Sequence, residues 1–176
     1  MAGDVDADLL RAFVEGDRDA FEALYRRFHP DVHRWIRRIV RDSAAADDAL
    51  VEAFWRAYRS RARFDATRSF GAWMRRIATN AAIDQLRRTP SLPGLDDRRE
   101  PVAPAQPDAD VQRHIAAALR SLSPRLRVVA MLALVEERPL AEIADALDVP
   151  VGTVKSRLFR ATQALRGALT RLGIQP

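Results

Sequence analysis

The sequence contains no cysteine, which excludes disulfide bonds, thiolate nucleophiles and cysteine-based zinc sites. Long apolar runs are also missing, because the longest one, residues 128–135, is too short to cross a bilayer. Residues 1–8 hold no basic cluster of the kind that begins an export signal. We therefore expect a cytoplasmic protein without membrane insertion.

Glycines are few and no segment alternates between apolar and polar residues, so strands are not expected. Apolar residues instead recur three and four positions apart, which predicts an all-α fold. Capping residues that favour helix starts are Asp17, Asp42 or Ser43, and Thr67 or Ser69. The expected helices span residues 7–16, 18–29, 31–41, 44–59, 69–88, 109–121, 124–136, 140–147 and 151–172.

Residues 89–110 have the composition of a linker. Five of the ten prolines fall there, and the segment has 2 basic and 5 acidic residues. The flanking parts are basic, with 17 basic and 14 acidic residues before the segment and 10 and 5 after it. We therefore predict two small helical domains, residues 1–88 and 111–176, joined by a proline-rich flexible linker.

Limited proteolysis tests this division. The first cuts should fall within residues 89–110, because prolines discourage helical structure there and each flanking part has its own apolar periodicity. Mass spectrometry of the earliest fragments locates the cuts. Equal resistance across that stretch would count against two domains.

Residues 139–169 have the layout of a helix-turn-helix. A short helix leads to a break at Asp148, Val149 and Pro150, and a long helix follows. Ile143, Leu147 and Val149 can pack against Val154 and Leu158, while the small Ala144 lets the two helices approach. Asp148 stands where such motifs usually carry Gly, and Asp tolerates left-handed backbone angles better than most residues.

The long helix has two different sides at 100° per residue. One apolar stripe holds Val151, Val154, Leu158, Ala161, Leu165 and Ala168, and the other side carries Lys155, Ser156, Phe159, Arg160 and Gln163. Donors for bases and phosphates beside an apolar group for thymine methyls suit a helix in the major groove. A solvated polar face would explain Arg and Gln but not an exposed Phe159.

A second polar stripe lies on the helix that ends at Arg88. Arg76, Asn80, Asp84 and Arg87 are spaced four, four and three apart and so share one face. Asn can bond a base edge and Arg can hold phosphates or guanine, which suits a separating DNA strand. A solvated face with internal Arg–Asp pairs would have the same pattern.

Several motifs together resemble the extracytoplasmic-function sigma factors of bacterial RNA polymerase. The string VPVGTVKSRL at residues 149–158 is similar to their promoter-reading helix. The first part agrees independently over residues 19–25, 46–48, 52–58 and 69–80, continuing to Asp84, Arg87 and Arg88. The resemblance covers both parts in the family's order.

The resemblance implies that residues 1–88 dock on core RNA polymerase and open the −10 element, and that residues 111–176 read the −35 element of promoter DNA. The implied −35 contacts are Thr153, Lys155, Ser156, Arg157, Phe159 and Arg160. The implied −10 contacts are Arg63, Phe64, Trp73, Arg76, Asn80, Asp84, Arg87 and Arg88. The implied polymerase contacts are Asp48, Val51, Glu52 and Trp55.

Further details follow from the same resemblance. In the family, the loop before the last helix of the first part captures a flipped base, and here that loop carries Phe64. The alternative for Phe64 is a position in the core. For Trp73 two positions are open, one inside the domain and one bordering the DNA. Family members usually carry Gln where Val51 stands and often an aromatic where Leu140 stands. An anti-sigma factor is commonly a partner, and neither a cofactor nor enzymatic activity is expected.

Two other functions are compatible with parts of the sequence. His29 and His33 have the i, i+4 spacing of zinc ligands in a helical metal hydrolase, but Pro30 lies between them and His114 lies across the linker. A helix-turn-helix regulator that does not recruit polymerase would need a ligand pocket or dimer interface in the first part. Binding to core RNA polymerase separates that regulator from a sigma factor.

Overall fold

The computed structural model describes residues 5–88 and 107–171, and these residues are helical with no strand. They divide into two compact units. The first unit contains the helices before residue 89, and the second contains most of the chain after residue 106. The helices of the first unit are α1 (Ala7–Glu15), α2 (Arg18–Ile39), α3 (Ser43–Arg59) and α4 (Phe70–Arg88), with a 3-10 turn at Arg61–Arg63. Those after residue 106 are α5 (Pro107–Ser121), α6 (Pro124–Ala130) with a π-helical turn at Met131–Val135, α7 (Leu140–Leu147) and α8 (Val151–Arg171). The all-α prediction is confirmed, while most of the predicted linker, residues 89–106, lies outside the described residues.

Side-chain caps fix where the helices of the first unit begin. The Asp17 carboxylate accepts the Ala20 N–H at 2.8 Å, and Asp42 accepts the Ala45 N–H at 2.7 Å. At α4 the Ser69 hydroxyl accepts the Ala72 N–H at 3.3 Å. Each such cap stabilises its helix by about 1 kcal/mol. The predicted capping positions are therefore confirmed, with Asp42 and Ser69 as the capping residues, and α3 and α4 begin directly after them at Ser43 and Phe70.

The predicted break between residues 29 and 31 is wrong, because α2 continues through Pro30. A proline inside a helix removes one hydrogen bond and costs about 3 kcal/mol. Here the apolar stripe continues across it, with Phe28 and Val32 both buried, and Pro30 itself faces solvent. Burial on both sides of Pro30 offsets the local cost.

Helices α3 and α4 pack closely through small side chains. Ala46, Ala49, Ala53 and Ala57 recur along one face of α3 and are at most 1% exposed. On α4, Ala78 and Ala82 are fully buried. Alanine lets two helix backbones approach, so the position of α4 is fixed along its length.

A buried hydrogen bond also ties α4 to α2. The indole Nε1 of Trp35 donates to the Thr79 hydroxyl at 2.9 Å, and that hydroxyl donates to the Arg75 carbonyl at 2.8 Å. Thr79 is fully buried, so both groups satisfy each other away from water. This pair fixes the rotation of α4 immediately before Asn80.

The turn between α7 and α8 follows the sequence prediction. Asp148 has a φ of 54°, and the Val149 N–H donates to the Ala144 carbonyl at 3.1 Å. Ile143 and Val154 are fully buried. The left-handed turn at Asp148 and the buried positions of Ile143 and Val154 agree with the predicted helix-turn-helix.

The apolar stripe of α8 is confirmed except at its first residue. Val154, Ala161 and Ala168 are buried, and Leu158 and Leu165 are half-buried. Val151 is 39% exposed. It opens α8, and helical side chains lean toward the N-terminus, so that of Val151 points past the packed part of the helix.

Candidate nucleic-acid interface

Helix α8 presents a polar face with one aromatic residue. Lys155, Ser156, Phe159, Arg160 and Gln163 are all exposed. Phe159 is 64% exposed. Leaving an aromatic ring in water is unfavourable in the free chain, and such exposed rings are typical of a contact surface. This face combines cations, amide and hydroxyl donors and an apolar ring, which matches what the major groove of DNA offers.

A cluster of guanidinium groups borders this face. Burial lowers the pKa of Arg157, and the nearby charges of Arg125 and Arg160 lower it further. Three like charges in one place favour an anion among them, and a DNA phosphate supplies one. Arg125 was not among the residues expected to contact DNA. The sequence did place it at the start of a helix, because it directly follows Ser123 and Pro124, which begin α6.

Two of the expected contacts on α8 are engaged in their own helix. The Arg160 Nε donates to the Ser156 carbonyl at 3.3 Å, and Thr153 is half-buried. The Ser156 hydroxyl donates to the Thr153 carbonyl at 3.0 Å. That hydroxyl still has its oxygen lone pairs free to accept, whereas Lys155 and Arg160 are the exposed cationic donors of this turn.

The stripe on α4 is brought together as predicted, but its carboxylate is not free. Asn80 and Arg87 are exposed, and Arg76 and Asp84 are half-buried. Arg56 of α3 donates to one oxygen of Asp84 at 2.8 Å, and Arg87 donates to the other at 3.2 Å. Both oxygens of Asp84 therefore accept hydrogen bonds from arginines. The groups of this stripe that can contact DNA are the amide of Asn80 and the neighbouring arginines.

The expected DNA contact of Phe64 disagrees with its burial. Phe64 is 5% exposed and lies 4.8 Å from Trp73, 5.6 Å from Phe70 and 6.4 Å from Phe13, measured between ring centroids. The chain turns inward there because these four rings bury one another. Phe64 therefore occupies the alternative position named above, in the core. Of the other expected −10 contacts, Trp73 is half-buried and Arg63 and Arg88 are exposed.

A second surface of the first unit is apolar and exposed. Val51 is 70% and Trp55 is 55% exposed on α3, and Asp48 is exposed beside them. Glu52 is half-buried and accepts a hydrogen bond from Arg56 at 2.7 Å. Exposed Trp and Val side by side favour a protein partner.

A groove adjoins this surface between the start of α2 and the end of α3. Its volume is about 680 Å³, and its lining is aromatic with a few charges: Arg18, Asp19, Phe21, Glu22, Tyr25, Trp55 and Tyr58. Tyr25 is 37% exposed and its ring packs 4.6 Å from that of Phe54. Sequence reasoning missed Tyr25 and Tyr58, which share the groove with Trp55 only because two helices pack together.

One of the two histidines of α2, His33, lies against a carboxylate from α3. The rings of His29 and His33 are 6.1 Å apart, and His33 Nε2 lies 3.0 Å from the Asp47 carboxylate. Residues 5–88 and 107–171 contain no group of three or more metal-ligating side chains. The His33–Asp47 pair joins α2 to α3 at the surface.

Together these features define a DNA-reading protein with a separate surface for a protein partner. The chain matches the family description "Sigma-70 region 2" over residues 24–90 and "Sigma-70, region 4" over residues 112–165. It is 38% identical to the ECF RNA polymerase sigma factor SigM of Mycobacterium tuberculosis, over 95% of this chain and 84% of that protein. The chain belongs to the ECF sigma factors of RNA polymerase, and it functions in promoter-specific initiation of transcription.

Solved structures have the same fold. CnrH in complex with the cytosolic domain of CnrY is similar at 25% identity and a TM-score of 0.59, covering 96% of this chain and 99% of that one. The sigma factor RpoE of Bartonella quintana, solved with the anti-sigma factor NepR, shares the fold at 21% identity and a TM-score of 0.52, over 85% and 96%. No helix of the described residues has the length and apolarity needed to span a membrane.

Proposed function

We propose that residues 111–176 read the −35 element through α8. Lys155, Phe159 and Arg160 contact base edges in the major groove, and Arg157 with Arg125 holds phosphates. The carrying observation is the exposed cationic and aromatic face that begins directly after the Asp148 turn. Run-off transcription with core polymerase on genomic fragments tests the proposal and finds the promoters.

Residues 1–88 open the −10 element in this proposal. Asn80 bonds a base of the separating strand, and Arg76, Arg87 and Arg88 hold its phosphates. The support is that α4 is fixed by Trp35 and Thr79 while Asn80 stays exposed. A rigid helix with an exposed amide can bond a base as soon as that base leaves the duplex.

Substituting Phe64 by Leu separates its two roles. We expect a loss of about 1 kcal/mol of stability, because Leu nearly fills the same core site. Opening of the −10 element per folded molecule should be unchanged, as it should for Phe70→Leu, the matched core control. Denaturant unfolding and permanganate reactivity measure the two quantities. A selective loss of opening in Phe64→Leu would show that this ring stacks on a base, a contact worth about 1–3 kcal/mol.

Core RNA polymerase docks on α3 in this proposal. Val51 and Trp55 supply apolar contact, Asp48 and Glu52 supply charge, and the aromatic groove with Tyr25 and Tyr58 extends the surface. The support is that large apolar side chains here are exposed although the neighbouring alanines of α3 are buried. A protein interface enriched in Trp and Tyr matches this composition.

Regulation and location complete the proposal. An anti-sigma factor binds this chain, as NepR binds the RpoE protein of similar fold. The chain acts in the cytoplasm, where promoter DNA and polymerase are, and performs no covalent chemistry itself. Its domain limits are residues 1–88 and 111–176, joined by residues 89–110.

A further inference from the structure

Arg56 lies between the two surfaces of the first unit and belongs to neither set of expected contacts. Its Nε donates to Glu52 on the docking side at 2.7 Å, and its Nη1 donates to Asp84 on α4 at 2.8 Å. All three side chains are about one-third exposed, at 30%, 35% and 33%. Arg56 is therefore largely shielded from solvent, with a carboxylate on each side.

The charge of Arg56 does not vary with pH in any useful range. Burial is the largest single influence and lowers its pKa, but the hydrogen bonds and negative charges of Asp84 and Glu52 together outweigh burial and raise the pKa. A permanent cation on α3 thus neutralises a carboxylate on α4 at all times. Arg87 occupies the other oxygen of that carboxylate.

Asp84 is the single carboxylate of the α4 stripe, between Asn80 and Arg87. A free carboxylate there would repel a DNA strand, whose phosphates must pass close to the same side chains. It would also bind Arg87 more tightly than it does beside Arg56, where Arg87 donates to it at 3.2 Å, and would leave less of that guanidinium to a phosphate. Whatever neutralises Asp84 therefore controls how strongly the stripe binds DNA.

We propose that Arg56 is a positioning residue for promoter opening: by pairing with Asp84 from α3, it lets the α4 stripe bind the separated −10 strand without an uncompensated negative charge. Arg56 itself need not touch the strand. This inference rests on the proposed role of α4 in opening the −10 element.

The test measures binding of saturated holoenzyme to a promoter whose −10 segment is pre-melted. Core polymerase is first titrated with each variant until holoenzyme is complete, so that any weaker docking does not enter the result. We expect Arg56→Gln to weaken binding roughly three- to tenfold, the range of a partly screened ion pair plus the repulsion that its loss exposes. Arg56→Lys, which keeps the charge without the forked geometry, should fall between Arg56→Gln and wild type.

The decisive variant is the double substitution Arg56→Gln with Asp84→Asn. It should bind within about twofold of wild type, because removing the carboxylate removes the repulsion that Arg56 normally cancels. A purely structural role predicts instead that binding follows the stability of each variant, because an unpaired Asp84 would also destabilise the fold. Denaturant unfolding of the single and double variants is therefore measured beside binding, and a binding loss in Arg56→Gln at unchanged stability supports the positioning role. Arg59→Gln is the matched control, because Arg59 is an exposed arginine at the end of the same helix.

Three results would overturn the inference. The first is Arg56→Gln binding as tightly as Arg59→Gln. The second is a double variant no better than Arg56→Gln alone. The third is wild-type binding by Asn80→Ala in the same assay, which would overturn both the proposed α4 site and the inference. If Asn80→Ala binds weakly while Arg56→Gln binds with wild-type affinity, only the inference is overturned.

Discussion

Replacing Glu52 by Arg is expected to weaken holoenzyme formation roughly 10- to 100-fold. The change reverses a charge in the middle of the proposed docking surface, between the exposed Val51 and Trp55. It also places two cations four residues apart, because Arg56 would lose a carboxylate partner and gain a guanidinium neighbour. A 10- to 100-fold loss of affinity corresponds to about 1.4–2.8 kcal/mol, and it is expected because a reversed charge opposes a partner surface that complements the original charge. Titration of labelled core polymerase measures the affinity.

The fold should survive this change. Glu52 is half-buried at the surface, and Arg is as good a helix former as Glu. Glu15→Arg is the matched control, since Glu15 is exposed at the end of α1 and the charge change is identical. Circular dichroism checks helicity. Wild-type affinity of a folded Glu52→Arg variant would show that the docking surface is elsewhere.

Trp55→Ala probes the same surface without a charge change. Trp is enriched among residues that dominate binding energy, and its truncation at an interface commonly costs 2 kcal/mol or more. At 55% exposure it contributes little to the core of the free chain, so stability should change little. Loss of affinity in both Trp55→Ala and Glu52→Arg would place the interface on α3.

The sequence predicted those features that depend on local chemistry. Caps at Asp17 and Asp42 are local, because a side-chain oxygen and an N–H three residues ahead suffice. The turn at Asp148 is local too, since it needs one residue that tolerates a positive φ. The exposed face of α8 followed from helical periodicity alone.

Features set by tertiary contacts were not predictable in the same way. Pro30 reads as a break, and only the burial of α2 on both sides of it explains a continuous helix. Phe64 packs in a ring cluster with Phe13 of α1, which is distant in sequence. Asp84 reads as part of a DNA-facing stripe until α3 brings Arg56 to it across 28 positions of sequence. The i, i+4 spacing of Glu52 and Arg56 was visible, but the third member of that network was not.

Promoter binding and promoter opening should separate between the two parts of the chain. Arg160→Ala should cost about 1–3 kcal/mol of binding to intact duplex if Arg160 makes a bidentate base contact, and relax preference at that position only. Asn80→Ala should spare the closed complex and reduce strand opening, because its amide meets a base only after that base leaves the stack. Gel shift measures the first effect and permanganate reactivity of thymines the second.

The controls and a pre-melted promoter make this division sharp. Arg166→Ala removes an exposed arginine two turns further along α8, and Gln85→Ala removes a half-buried amide from another side of α4, so neither should reproduce the two effects. A promoter with a pre-melted −10 segment should partly rescue Asn80→Ala, since the cost of opening no longer has to be met by the protein. It should not rescue Arg160→Ala, whose contact lies in the intact −35 duplex. An Asn80 variant that opens DNA normally, or an Arg160 variant rescued by the bubble, would overturn the assignment of roles to α4 and α8.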